Sequence, residues 1–278
     1  MKMEIDMRDV HFQTFEHINL EKITEVWNRC WRGYYYDMSY SHELMKVWLD
    51  LSHVSLSHSI AVLINHQVVG FALLSIDGSD GWIAGACIDP NYRRNGLFSV
   101  LMRSQLNLAG SIHLKRVYLE VLEQNPARLV YQAVGFTCVR QLNVYRNQPK
   151  IDLERRAGKV HSVGIIPLEQ YFNCRSLACF NPAWQRREGY LRRHNNILAF
   201  ISSTGTAGAL FARDLRGPLL DIWSADSAGA EEVLPTILQW SGESLSLINQ
   251  PNDFISNYLK DYGINPSLKQ IEMCAELS

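Results

Sequence analysis

Between Ile83 and Met102 the chain reads I-A-G-A-C-I-D-P-N-Y-R-R-N-G-L-F-S-V-L-M. An apolar run ends at Ile88 and Asp89-Pro90 breaks it. Arg93, Arg94 and Gly96 follow, and a run with helical spacing begins at Leu97. This is strand, turn and helix, with positive charge and a glycine at the turn. The first N–H groups of a helix lack intrahelical partners, the helix dipole adds partial positive charge there, and successive turn amides curl into an anion nest. The chemistry of such a turn is phosphate binding, mostly through backbone N–H groups. The nucleophile and metal-ligand residue types are less organised. Cys30, Cys87, Cys138, Cys174, Cys179 and Cys274 form no CxxC pair, and the nine histidines include no HExxH. His53 and His58 lie in S-H-V-S-L-S-H with no acidic or thiol partner, so no metal is expected.

The elements that must position this turn follow from periodicity. Ile5 to Phe12 suits a first strand. Asn19 caps a helix whose apolar face is Leu20, Ile23, Val26, Trp27, Cys30 and Trp31. Gly33 ends it, and the tyrosine-rich G-Y-Y-Y-D-M-S-Y leads to a second helix capped by Ser41, with Leu44, Val47, Trp48 and Leu51 expected inward. Strands at Ser59–Ile64 and Gln67–Ile76 flank Asn65-His66, a hairpin turn, and Gly81–Ile88 is the third strand. After a helix at Leu97–Gly110 come a strand at Arg116–Leu122 and a helix opened by Asn125-Pro126 and ended by Gly135-Phe136. Thr137–Val139 and Leu142–Tyr145 read as closing strands. Asn147 to Lys159 is polar and breaks the periodicity, so the chain divides into domains 1–148 and 149–278.

The second half repeats the first in element order. Val160–Ile166 is a strand, Leu168–Phe180 and Pro182–Arg193 are helices, and Ile197–Ser203, Ala207–Asp214 and Pro218–Trp223 form a meander. Ala228–Trp240 is a helix, Leu245–Ile248 a strand, Asp253–Asp261 a helix and Leu268–Met273 a closing strand. Low identity with matching order reads as duplication of one fold.

Two segments carry a family likeness. Arg93-Arg94-Asn95-Gly96-Leu97-Phe98 stands where the GCN5-related N-acetyltransferase (GNAT) superfamily has Gln/Arg-x-x-Gly-x-Gly/Ala, and Phe98 departs from the small final residue. L-E-V-L-E-Q-N-P-A-R-L-V-Y-Q-A-V-G-F, residues 119–136, is similar to the family's strand, Asn, helix, Tyr-x-x-x-Gly-Phe pattern. The resemblance covers roughly Ile5 to Arg146. It implies an α+β, three-layer fold with two tandem GNAT-like domains, each a mixed, mostly antiparallel sheet flanked by helices. The second domain resembles a degenerate copy: its equivalent turn, Ser224 to Gly229, has no arginine, and Asp226 would repel phosphate.

The resemblance also implies acetyl-CoA as cosubstrate and assigns roles. Cys87 and Ile88 offer strand backbone to pantetheine, and the turn from Arg93 through Asn95, Gly96, Leu97 and Phe98 to Ser99 holds the phosphates. Asn125 bonds pantetheine or caps the next helix. Tyr131 lies beside the thioester sulfur as general acid. Acetyl transfer to an amine needs a neutral amine. An alkylamine of pKa about 10.4 is free base in only about one molecule in 2,500 at pH 7, so a base helps. Glu120, on the face of its strand opposite Leu119 and Val121, is the expected base, with Glu123 its competitor and a solvent-facing strand glutamate or an ion pair the structural alternatives. The Cys87 thiol reads as a buried small residue.

Acceptor contacts are expected from the first two helices and their connection, where Trp27, Trp31, Tyr34, Tyr35, Tyr36 and Trp48 concentrate. Arg186, Arg187, Arg192, Arg193 and His194 read as a solvated helix face. A formal net charge of −1 carries no basic nucleic-acid footprint. No apolar run of about 18 residues is present, so no membrane span is expected. The charged N-terminus and dispersed cysteines point to a cytoplasmic setting. The expected activity is transfer of acetyl from acetyl-CoA to a primary amine of a small molecule. The alternatives are a protein or peptide amine, and a non-catalytic acyl-CoA sensor. The second domain is expected to close the acceptor cleft or to pair the chain into a homodimer.

Overall fold

The structure, a computed structural model, describes residues 7–149, 163–178, 181–212, 219–240 and 244–277. It divides into two compact units, Met1–Val139 with Met273–Ser278, and Arg140–Glu272. The sequence places the division after residue 148. In the structure Arg140 already groups with the second unit, and the end of the chain groups with the first.

In the first unit, strands β1 (Val10–Thr14), β2 (Ile60–Ile64), β3 (Gln67–Asp77) and β4 (Asp80–Ile88) run antiparallel in that order. Strand β5 (Arg116–Leu122) joins β4 in parallel. The chain end lies against this region: Leu277 N–H donates to the Lys115 carbonyl at 2.8 Å. The β2–β3 turn holds Asn65 and His66 at φ 50° and 62°, the left-handed pair that a two-residue hairpin needs.

Helix α1 (Leu20–Cys30) starts where Asn19 accepts Lys22 N–H at 2.9 Å. It buries Ile23, Val26, Trp27 and Cys30. Trp27 is core, stacked on Phe71 with centroids 5.4 Å apart and donating its indole N–H to the Met38 carbonyl at 2.6 Å. Helix α2 (His42–Ser52) corrects the sequence reading. Met45 is fully buried and Trp48 packs on Trp27, whereas Leu44 and Val47 are exposed. At 100° per residue, a face centred on Met45, Trp48 and Leu49 turns Leu44 and Val47 outward. Helix α2 carries more apolar residues than one face can bury. His53 ends it in a left-handed C-cap, a structural role. Helices α3 (Leu97–Ser111) and α4 (Ala127–Ala133) follow β4 and β5 as expected.

In the second unit, β7 (Gly164–Ile166), β8 (Ile197–Ile201), β9 (Ala207–Ala212) and β10 (Leu219–Ser224) form an antiparallel sheet in the order β10-β9-β8-β7. Strand β6 (Thr137–Pro149) takes the place of the two expected closing strands, and from Leu142 onward it pairs with β11 (Ser244–Pro251). Helices α5 (Leu168–Leu177), α6 (Glu188–Leu191), α7 (Ser227–Trp240) and α8 (Phe254–Asp261) complete the unit, and β12 (Leu268–Glu276) is the last strand. Strands β6 and β12 each contribute residues to both units. The rest of the expected linker, 150–159, lies outside the described residues. So do Val160, Cys179, Phe180, Asp214 and Pro218.

The helix expected over Pro182–Arg193 is instead a 3-10 turn at Trp184–Arg186, an extended Arg187 and the single turn of α6. The break serves Arg186, which is not solvated but fully buried. Its guanidinium pairs with Asp221 at 2.7 Å and also bonds the Gln250 side chain and the Ile222 carbonyl. Arg175 reaches the other Asp221 oxygen at 2.7 Å, and the Tyr171 hydroxyl donates to it at 2.8 Å. A buried carboxylate needs such partners. Arg187 stacks over Trp184, and Arg192 lies over Phe172 while pairing with Glu169. Among the described residues no helix is long and apolar enough to cross a membrane.

Candidate active site

Strands β4 and β5 pair at Asp80↔Arg116, Gly81↔Val117 and Trp82↔Tyr118, and at no later position. The cause lies on the other edge of β4. Leu73 pairs with Gly85 and Leu74 with Ile83, so Ala84 is an extra residue. A bulge bends the strand that carries it. Beyond it β4 follows β3 as far as Gly70↔Ile88, while β5 runs on to Leu122. From Ile83 to Ile88, β4 thus has no pairing with β5, and an extended ligand can add to an edge of that kind. Gly85 is obligatory beside the bulge, because a Cβ there would stand 2.7 Å from the Trp27 ring.

The turn after β4 is braced from beneath. Asp89, 1% exposed, accepts Asn91 N–H at 2.9 Å through one oxygen and Arg29 Nε–H at 2.6 Å through the other. Arg94 and Gly96 adopt φ 66° and 76°. These left-handed residues turn the chain sharply into α3. Gly96 is the N-cap and has no side chain to take the first α3 amides. Arg94 is exposed. Arg93 has another task. Its guanidinium turns back to donate to the Ile88 carbonyl at 2.9 Å and the Cys30 carbonyl at 2.7 Å, tying the end of β4 to the end of α1. The Ile88 carbonyl, one of the groups expected for pantetheine, therefore already accepts from Arg93. Asn95 folds over the turn, with Nδ2 donating to the Tyr92 carbonyl at 3.3 Å.

Cys87 is buried, donates its thiol to the Cys30 carbonyl at 3.0 Å, and has its pKa pushed up to about 11 by burial, partly offset by Arg93. It stays a thiol near neutral pH. Glu120 lies two residues beyond the last β4–β5 pair. Its Oε2 accepts the Trp82 indole N–H at 2.6 Å. Glu123 is exposed. Asn125 Oδ1 accepts Ala127 N–H at 2.9 Å, the capping half of its expected role, and the Asn125 side chain also bonds the Tyr34 hydroxyl.

Tyr131, 6% exposed, lies between the rings of Phe98, 5.5 Å away, and Phe136, 5.7 Å away. Burial raises its phenol pKa, with Tyr34 and Cys87 adding to the shift. The hydroxyl therefore keeps its proton. Tyr34 packs edge-on against Trp31 at 4.6 Å and against Tyr35 and Tyr36, and the Tyr35 hydroxyl donates to the Gln124 carbonyl at 3.4 Å. The α1–α2 connection thus reaches the loop after β5.

The structure brings Cys87, Asn125, Tyr131 and Phe98 together, with Glu120 at the mouth of the splay. Trp82 and Tyr34 belong with them. Sequence reading placed Tyr34 only in the acceptor connection and did not single out Trp82 at all. The available signal was parity: Trp82 and Glu120 lie on strands whose pairing puts them on one face. In the second unit the equivalent turn differs. Asp226 Oδ1 accepts Gly229 N–H at 2.7 Å, so the start of α7 is capped by its own carboxylate.

A splayed β4–β5 pair, a bulge in β4, and a glycine-led helix start define a GNAT-type acyltransferase fold. Residues 20–136 match the acetyltransferase (GNAT) family, whose members use acetyl-CoA. Solved structures extend the likeness over the whole chain. A putative acetyltransferase from Pyrococcus horikoshii is 12% identical at a TM-score of 0.71, with 99% of this chain and 92% of that one covered. A GCN5-related N-acetyltransferase from Sphaerobacter thermophilus is 12% identical at 0.65, covering 99% and 97%. A tandem GNAT protein from the clavulanic acid biosynthesis pathway is 13% identical at 0.59, covering 96% and 98%. At these identities the likeness establishes the fold. Comparison with curated proteins finds no match.

Proposed function

We propose that the first unit transfers an acetyl group directly from acetyl-CoA to a primary amine of a small molecule. The observation that carries this reading is the placement of Glu120 just past the last β4–β5 pair, with Tyr131 buried beside Cys87. The chain fits the cosubstrate. The Arg94–Gly96 turn and the first α3 amides suit its phosphates, and the edge of β4 that β5 leaves unpaired, apart from the Ile88 carbonyl taken by Arg93, suits pantetheine. Asn125 and the aromatic connection border the reacting end.

In this mechanism Glu120 accepts the ammonium proton, directly or through one water, so that a neutral amine attacks the thioester carbonyl. The C–N bond forms, the C–S bond breaks, the Tyr131 hydroxyl gives its proton to the departing thiolate, and the second proton of the attacking nitrogen is lost as the amide forms and restores the phenol. Burial keeps the phenol protonated but also makes it a weaker acid, so its proton moves only as the C–S bond breaks and charge builds on sulfur. A small-molecule acceptor is favoured because the stacked Trp31, Tyr34, Tyr35 and Tyr36 give that side of the site an aromatic wall.

The test is thiol release from acetyl-CoA in the presence of a panel of primary amines, with the product identified by mass spectrometry. Release dependent on a small amine, and lost in Glu120→Gln, is the expected result. CoA binding without release would make the chain a sensor. Release with peptide amines alone would move the acceptor to protein.

A further inference from the structure

We propose that Trp82 is a positioning residue for the reaction, holding the Glu120 carboxylate in one orientation at the mouth of the splay. The inference rests on the reading of Glu120 as the base and adds to it a residue that neither the family motif nor the spacing of the sequence marks.

Three observations carry it. The Trp82 indole N–H donates to Glu120 Oε2 at 2.6 Å, a short bond for a nitrogen donor. Trp82 is 3% exposed, so water competes little for that donor. Trp82↔Tyr118 is also the last backbone pair between β4 and β5, and Glu120 is the next residue on the same face of β5. The indole–carboxylate bond is therefore a side-chain link across the two strands just where their backbone pairing stops. A glutamate side chain has rotamer freedom that a base must lose before it can act. The indole removes that freedom in the resting protein.

Trp82 is itself held. Its antiparallel partner is Ser75, whose hydroxyl donates to the Ser52 carbonyl at 2.6 Å, so the end of α2 anchors the strand beside the indole. Tyr118 is the nearest titratable group on this face, and on β12, the other neighbour of β5, Glu272 pairs with Arg140 while Lys269 and Glu276 are exposed. Arg116 pairs with Asp80 at the start of β5 and β4, Tyr118 bonds the Cys274 thiol on β12, and Glu123 is exposed beyond β5. None of these links is removed by changing Trp82.

The bond favours the charged form of the carboxyl, so its loss raises the carboxyl pKa. The base works in the ionised form. Losing the bond therefore moves the acid limb of the kcat–pH profile to higher pH, and kcat is the quantity to follow because it reports groups in the bound complex. Trp82→Phe is expected to shift that limb up by about one unit, cutting kcat about tenfold at a pH below the limb and much less on the plateau. Acetyl-CoA affinity by calorimetry should stay within about twofold. Trp82→His, which retains a ring N–H, should recover part of the shift and serves as the second variant if Trp82→Phe fails to fold.

An unchanged acid limb in a folded Trp82→Phe or Trp82→His protein, with kcat reduced equally at all pH values, would reduce Trp82 to a packing residue and overturn the inference. Glu120→Gln separates this from failure of the underlying reading. If Glu120→Gln keeps both its rate and its acid limb, Glu120 is not the base. If it loses both while the Trp82 variants leave the limb in place, only the positioning role falls.

Discussion

The ring of Phe98 meets the ring of Tyr131 edge-on, with centroids 5.5 Å apart and planes at 66°. Phe98 stands where the family motif has glycine or alanine. The ring therefore lies against the proposed acid and couples the first turn of α3 to α4. An edge-to-face pair contributes about 0.5–1.5 kcal/mol beyond area burial. Phe98→Ala is expected to cost roughly 1–3 kcal/mol, since the side chain is only half-buried, and to slow turnover by loosening Tyr131. Denaturant unfolding and CoA calorimetry check this. A large gain in CoA affinity would mean that the ring instead obstructs the cradle.

Tyr131→Phe should lower kcat by about tenfold to a hundredfold at pH 7 without abolishing turnover. A thiol of pKa about 8.5 already leaves tolerably as its anion, so the deficit should narrow as the pH rises past that value. Burial raises the Tyr131 pKa above that of an ordinary phenol. Its proton is thus retained across the usual assay range, and no base limb near pH 9–10 should be traceable to it. Rate–pH profiles of wild type and variant decide the point.

The two arginines of the turn should separate. Arg94→Asp with Gly96→Asp puts negative charge at the exposed turn and should abolish measurable CoA binding. Arg93→Ala removes the bonds to the Ile88 and Cys30 carbonyls. It should lower the melting temperature by roughly 2–6 °C. Its CoA affinity should fall with less dependence on salt than expected for loss of a direct phosphate contact. Calorimetry at two salt concentrations distinguishes brace from ligand.

In the second unit, Asp221→Asn leaves Arg175 and Arg186 facing a neutral amide inside the protein. Breaking one partner of a buried ion network costs about 3–5 kcal/mol. The expected outcome is a large drop in unfolding midpoint. A loss below about 1 kcal/mol would show that Asp221 adds little to the fold.

Much of the first unit was legible because its elements are local. The α1 face, the Asn65-His66 hairpin, and the helices after Gly96 and Pro126 depend on residues close in sequence, and the structure has them where periodicity and turn chemistry put them. The α2 face was misread because Leu44 and Val47 are as apolar as Met45 and Trp48, and only contact with Trp27 chooses between them. Arg186 was misread because charge on a short segment reads as solvent-facing until a buried carboxylate 35 positions later is known to meet it.

The sequence by itself determined the order of elements, the glycine-led turn after β4, and the residue types of the proposed site: Glu120, Asn125 and Tyr131. These rest on backbone preference and side-chain periodicity, which act over a few residues. Tertiary structure alone decided that β4 and β5 part after Trp82, that Arg93 braces the turn, and that Trp82 holds Glu120. It also decided that the last residues of the chain join the first unit. Each of these depends on groups far apart in the chain whose meeting is set by strand register and packing, and no local pattern encodes which distant partner will be there.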